Sequence, residues 1–240
     1  MTMEYFFVDK HDVHGMTLIL RDEASKHLAR VLRKRVGDHV FVTDGADMMY
    51  EVAIVRMEKD EVECDIVDAK MKVNEPKIEV ALAVSLLKNP SRVDFLVEKA
   101  VELGVRTIIP MACERTIPEH EKHTRLEKIA LSAMKQCGRC YLPKIIDLME
   151  FETLVNHAQG YTLRLIPHEK TEQSQFVGSV LKHHEQTGSV LILIGPEGGF
   201  SEEEISLAGR EGCIPISLGP RRLRSETAAL SSLSWVVGSW

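Results

Sequence analysis

Between Ile78 and the C-terminus the chain repeats one rhythm six times, an apolar strand-like run followed by a helical stretch. No other feature constrains the fold as far, because this alternation predicts an α/β domain with a mainly parallel sheet and helices on both faces. Strands are expected at Ile78–Leu86, Arg106–Met111, Lys144–Leu148, Tyr161–Ile166, Val190–Ile194 and Ile214–Leu218. The helices should start near Pro90, Glu121, Phe151, Ser174, Ser201 and Ser225. Before residue 72 the rhythm differs. Short β-rich runs at Tyr5–Val8, Met16–Leu20, His39–Thr43, Met49–Met57 and Val62–Val67 predict a small β-barrel, with Asp44-Gly45 and Glu58-Lys59-Asp60 as hairpin turns. One helix, roughly Asp22–Arg35 and ended by Gly37, interrupts these strands. Lys70–Lys77, with Asn74 and Pro76, reads as a linker, so the expected domains are residues 1–72 and 73–240.

Composition excludes several classes. The 240 residues carry 30 basic and 36 acidic side chains, a formal charge of −6, so the chain does not hold nucleic acid merely by being basic overall. No run of about 18 apolar residues is present, so no membrane span is expected. The N-terminus lacks the pattern of a secretory signal, and five cysteines are an odd number, which together predict a cytoplasmic protein with reduced thiols.

Three segments are candidates for chemistry. In the helix at Asp22–Arg35, Lys26, Arg30, Arg33 and Lys34 fall on one continuous face, while Ala24, Leu28, Val31 and Leu32 form the opposite, core-facing one. Six basic and two acidic residues within Arg21–Arg35 suit a phosphate backbone, or simply a solvated face. The second segment, Gly195-Pro196-Glu197-Gly198-Gly199-Phe200-Ser201, leaves an apolar strand and enters a helix whose start is marked by the capping-box pair Ser201 and Glu204. Bare glycines at a strand end let a ligand approach the backbone. The loop is neither a P-loop nor a dinucleotide fingerprint, and three glutamates in the following helical turn disfavour a phosphate. The third, Leu218-Gly219-Pro220-Arg221-Arg222-Leu223-Arg224-Ser225, crowds three arginines at the same sheet edge before a helix with Ser225 as expected N-cap, and suits an anion.

Two other patterns carry little. Cys137-Gly138-Arg139-Cys140 has redox or zinc spacing but lies at a helix end, and no second pair completes a metal site. His120-Glu121-Lys122-His123 is one residue short of the spacing that puts two imidazoles on one helical face, so no metal is expected.

Five segments in order resemble a known family: His27–Arg33 with Gly37-Asp38; Lys88 with Val97–Val105; Glu114-Arg115-Thr116; Leu193–Ser201; and Leu218-Gly219 through Leu223–Ala228. They resemble the RsmE family of small-subunit ribosomal RNA methyltransferases, within the SPOUT (trefoil-knot) superfamily. The resemblance implies a PUA-like N-terminal barrel and a knotted C-terminal domain. It also implies S-adenosyl-L-methionine as cofactor, a homodimer, and methylation of N3 of a uridine in 16S rRNA near the decoding centre, on naked RNA or the small subunit. Carried over by position, the cofactor-binding residues are Leu165, Gly195, Pro196, Gly198, Gly199, Leu218, Gly219, Leu223 and Thr227. RNA is expected to meet Lys26, Arg30, Arg33, Lys34, Lys88, Arg92, Arg115 and Arg139.

Uracil N3 carries a proton and is a poor nucleophile when neutral, so the reaction needs a base or a group that stabilises the anion. Arg224 is expected on the uracil oxygens or a flanking phosphate, and Glu226 as base or orienting group. Glu197 is a third candidate, or a structural carboxylate. The rival reading is a non-catalytic RNA-binding protein that kept the fold. A nucleotide-dependent metabolic enzyme is disfavoured by the missing phosphate fingerprints.

Overall fold

The structure, a computed structural model, describes residues 4–117, 123–184 and 187–239. Two units separate. The first comprises residues 1–75 together with Leu131–Leu142, and the second holds Pro76–Ala130 and Pro143–Trp240.

The first unit contains β1 (Tyr5–Phe7), β2 (Val13–His14), β3 (Thr17–Arg21), α1 (Asp22–Lys26), β4 (His39–Thr43), β5 (Met48–Met57) and β6 (Glu61–Met71). The sheet runs β1-β4-β5-β6-β3-β2, antiparallel except at β1–β4. Alternate residues point inward, so Leu18, Leu20, Val40, Val42, Val52, Ile54, Val62 and Cys64 meet in one core. Both expected hairpin turns are present. At the first, the Asp44 carboxylate accepts from the Ala46 and Met48 N–H groups.

The expected helix to Arg35 is shorter and irregular. Its α-helical turn ends at Lys26, and His27–Val31 form a π turn in which the Leu32 N–H reaches back to the His27 carbonyl. The extra residue in that turn rotates the following side chains. Leu28 remains buried, whereas Val31 is 64% exposed rather than packed on the core. Arg33 adopts a left-handed φ of 54°, so Lys26, Arg30, Arg33 and Lys34 do not share one regular helical face.

Residues 72–75 are not a free linker. Asn74 donates to the Gly138 carbonyl at 2.8 Å, and Glu75 meets Arg139 with side chains only 1% and 2% exposed. Arg139 donates from Nε and Nη2 to this carboxylate, whose Oε1 also accepts from the Cys140 and Tyr141 N–H groups. Arg139 is therefore a structural cation. Its burial contradicts the expected RNA contact, because a guanidinium with its charge neutralised inside the core presents none to phosphate.

The second unit contains β7 (Glu79–Ser85), α2 (Pro90–Glu102), β8 (Thr107–Ala112), the start of α3 (His123–Cys137), β9 (Lys144–Ile145), β10 (Met149–Glu150) and α4 (Phe151–Asn156). After these come β11 (Leu163–Pro167), α5 (Val177–Lys182), β12 (Ser189–Ile194), α6 (Glu202–Arg210), β13 (Ile214–Ile216) and α7 (Ser225–Gly238). All pairings are parallel in the order β10-β8-β7-β12-β11-β13, with β9 beside β8. Helices α4 and α6 pack on one face, and α2, α5 and α7 group on the other. The mainly parallel sheet read from the alternation is thus observed. β12 lies at its centre, paired to β7 and β11 and buried from Val190 to Ile194, which is why its run is apolar on both faces.

Arg139→Ala leaves the Glu75 carboxylate buried without its counter-charge and should destabilise the protein by about 3–5 kcal/mol. Urea unfolding of the variant measures this, and wild-type stability would show that the ion pair is not structural.

Candidate ligand cleft at the sheet edge

Because the strands are parallel, β11, β12 and β13 end at one edge, with β11 between the other two. The loops that follow enclose a cavity of about 420 Å³, within the range of small-molecule sites. Pro167 at the end of β11 leads into His168–Lys170, Gly195–Phe200 follows β12, and Ser217–Arg224 follows β13, with Ser225 and Ala228 at the start of α7 closing the space.

The Gly195–Phe200 loop is held by neighbours that fix its shape. Arg115 donates from Nη1 to the carbonyls of Gly198 at 2.9 Å and Phe200 at 3.2 Å. Its stem lies so close that a Cβ on Gly198 would come within 3.3 Å of it. Glu197 accepts from the Lys88 backbone N–H at 3.1 Å. Ser201 caps α6 by accepting from the Glu204 N–H, while the Glu204 carboxylate accepts from the Ser201 and Glu114 N–H groups. Gly195 is required by packing, since a Cβ there would sit 3.1 Å from the Phe200 ring. Gly199 and Gly219 line the cavity with φ of 68° and 104°, and a Cβ on either would meet no protein atom within 4 Å. Both therefore present bare backbone to the open space.

Charge is divided across the cleft. Beside the glycines Glu197 and Glu202 stand with two cations, Arg115 on the loop carbonyls and Lys170 paired to Glu202 at 2.6 Å, so this side carries no net charge. On the β13 loop stand Arg221, Arg222 and Arg224. Arg222 is 3.6 Å from Glu169, and the guanidinium groups of Arg221 and Arg224 have no partner among the described residues. Burial, and secondarily Lys170, hold the His168 pKa below its ordinary value, so this imidazole at the cleft wall is neutral at pH 7.

Of the sequence-derived candidates, Gly195, Pro196, Glu197, Gly198, Gly199, Leu218, Gly219, Leu223, Arg224 and Arg115 come together here. Others do not. Leu165 is fully buried inside β11, and the cleft begins two residues later at Pro167. Thr227 is exposed outside it: α7 has Arg224 as N-cap and Ser225 as its first residue, so Ser225 and Ala228, one turn apart, face the cavity. Ser225 is accordingly not the N-cap. Glu226 turns to Arg92, with Oε1 3.7 Å from Nε, and its Oε2 is buried without a hydrogen-bond partner. In the first unit, Lys26 lies 3.4 Å from Asp60 and Lys34 donates to the His39 carbonyl, while Arg30 and Arg33 are exposed. The wall formed by His168, Glu169 and Lys170 was missed; its only sequence signal is polarity immediately after the β11 run.

The four thiols of Cys64, Cys113, Cys140 and Cys213 are pushed up to about 12, 12, 11 and 11 by burial, which makes them poor nucleophiles and metal ligands at neutral pH. Among the described residues no three His, Cys, Asp or Glu side chains group as metal ligands, and no helix is long and apolar enough to cross a membrane.

A parallel α/β unit with its cleft between three adjacent strand-end loops, following a small β unit, is the architecture of an RNA methyltransferase domain behind a PUA domain. The RNA methyltransferase domain family matches residues 74–237 and the RNA methyltransferase PUA domain family matches residues 20–67. The chain belongs to this RNA methyltransferase family, among the proteins named ribosomal RNA small subunit methyltransferase E. The protein of that name from Mesomycoplasma hyopneumoniae (strain 232) is 33% identical over 77% of this chain and 80% of its own length. That from Bacillus subtilis (strain 168) is 26% identical over 97% and 95%. The crystal structure of ribosomal RNA small subunit methyltransferase E from Neisseria gonorrhoeae, bound to S-adenosyl methionine, superposes with a TM-score of 0.86 at 27% identity, covering 99% of this chain and 98% of that one.

Arg115→Ala should free the Gly198 and Phe200 carbonyls and loosen the loop while leaving the core intact. Amide hydrogen exchange over residues 197–200 should accelerate, with global stability changed by no more than about 1.5 kcal/mol. Unchanged exchange in that segment would show that other contacts hold the loop.

Proposed function

We propose that the protein methylates N3 of a uridine in small-subunit ribosomal RNA, using S-adenosyl-L-methionine. The observation that carries this reading is the division of charge in one cleft. A cationic sulfonium suits the wall of Gly199 backbone, Glu197, Glu202 and neutral His168, and an anionic RNA suits the arginines opposite. The cofactor fits the residues present, because Gly199 and Gly219 leave open backbone and Ile194, Leu218, Leu223 and Ala228 supply apolar wall. When bound, it supplies an electrophilic methyl group.

Arg224 is proposed to face the uracil oxygens, where negative charge grows as N3 loses its proton. Glu226, with one carboxylate oxygen unpartnered beside Arg92, remains the proposed orienting group or proton acceptor. Glu197 serves the loop through the Lys88 N–H, the structural alternative for that residue. The exposed Arg30 and Arg33 of the first unit, with Lys26 and Lys34, are proposed to hold the RNA backbone, and Lys88 to meet it at the second unit. A homodimer working on rRNA in the cytoplasm completes the reading.

Methyl transfer to small subunits or 16S rRNA from a strain lacking the enzyme, with the product mapped by mass spectrometry, tests the proposal. No N3-methyluridine would overturn it, and cofactor binding by calorimetry separates it from a pure RNA-binding role. Arg224→Ala should lower kcat and kcat/KM together by about 10²-fold, with cofactor affinity retained. A raised KM at unchanged kcat would instead place Arg224 on the backbone.

Cofactor affinity should also report His168. A depressed pKa means the ring is neutral above its ordinary value of about 6.5, and a proton gained below that value puts a positive charge beside the sulfonium. Affinity should be flat at higher pH, fall only once the pH has dropped below the ordinary imidazole value, and lose that fall in His168→Gln. A fall retained in the variant would assign it to another group.

A further inference from the structure

We infer that a second lobe, lined by the loops after β11 and β13 and not by the glycine-rich loop, is a phosphate subsite for the RNA strand beside the target nucleotide; this rests on the function proposed above. The lobe has a volume of about 440 Å³ and shares Glu169, Lys170, Ser217, Gly219, Arg221 and Arg222 with the cleft. Thr171 and Gln173 belong to its wall and not to that of the cleft.

Its chemistry differs from the cleft. Apart from the Pro220 ring and Gly219, its wall is polar or charged, without the leucine, isoleucine and phenylalanine side chains that line the cleft. The charge count is uneven. Glu202 compensates Lys170 and Glu169 compensates Arg222, the latter pair 3.6 Å apart and well exposed. Arg221 is then a surplus cation, with five N–H donors and no partner among the described residues. Thr171, half-buried, adds a hydroxyl without a hydrogen-bond partner among the described residues; its oxygen has almost no accessible surface, so a turn about χ1 is needed to offer it to a ligand. A surplus guanidinium and an unused hydroxyl donor suit a group that is anionic and accepts from several directions, which a phosphate is. The loop carrying Arg221 leads within three residues to Arg224, so a strand whose phosphate rests on Arg221 continues toward the cleft that holds its base.

The cofactor's carboxylate is the other anion available, and the test separates the two. Methyl transfer to small subunits or 16S rRNA is followed for Arg221→Ala and for Thr171→Val, with thermal unfolding checking that each is folded. Calorimetry with S-adenosyl-L-methionine alone runs alongside. For Arg221→Ala the inference expects KM for RNA to rise about tenfold, kcat to change little, and the slope of log K for RNA against log salt to become shallower by about 0.7–0.9, as for one lost phosphate contact. Thr171→Val should raise KM by a smaller factor, with cofactor affinity unchanged in both. Unchanged KM and salt slope in a folded Arg221→Ala would overturn the inference. Weakened cofactor binding with unchanged RNA affinity would overturn it too, by assigning the lobe to the carboxylate. If the wild-type protein makes no N3-methyluridine, the proposed function itself falls, a result distinguishable from failure of the subsite.

Discussion

The parallel pairing of β11, β12 and β13 is the constraint on which the site depends. Parallel strands end at one edge, so three loops far apart in sequence leave the sheet side by side. β12 anchors the arrangement from the centre. With both faces covered and both edges paired, it has no freedom to shift, and its end at Ile194 delivers the glycines at a defined height. A one-residue slip of its register with β7 would move Ile194 off Val84 and misplace the loop.

Much of the charged chemistry near the site serves to hold it in shape. Arg115 spans the carbonyls of the glycine-rich loop, Glu197 ties that loop to Lys88 in the segment between β7 and α2, and Glu204 links the α6 cap to Glu114. Each satisfies backbone groups that a tight, glycine-rich turn would otherwise leave unpaired. A loop held this way is preorganised, so less of the binding free energy goes into ordering it. Glu75 and Arg139 do the same in the first unit, where one buried carboxylate collects a guanidinium and two N–H groups.

The α6 and β13 sides of the cleft have different consequences. On the α6 side Glu197 and Glu202 balance Arg115 and Lys170, which leaves no surplus of positive charge to repel a cation. Arginines on the β13 loop, two of them without partners among the described residues, favour an anion. A cleft that must bring a sulfonium and a polyanion together needs both signs, and here the cations without a partner among the described residues lie on the β13 loop.

The apolar periodicity by itself determined the parallel sheet, its helices and the small β unit, because burial on one or both faces writes a period that survives without coordinates. Capping chemistry likewise determined the start of α6 at Ser201. What only the tertiary structure decided were the partners. Arg139 and Arg224 are the same residue type beside glycines or serines, yet one is sealed against Glu75 and the other is open to the cleft. Val31 and Leu28 occupy equivalent places on an ideal helix, but the π turn after Lys26 exposes one and buries the other. Thr227 and Ala228 adjoin, and the position of the first helical residue alone chooses between them. Spacing records which face a residue lies on, whereas which charge or backbone group waits there depends on segments brought together across the chain, such as residues 75 and 139. That long-range pairing leaves no local period to read.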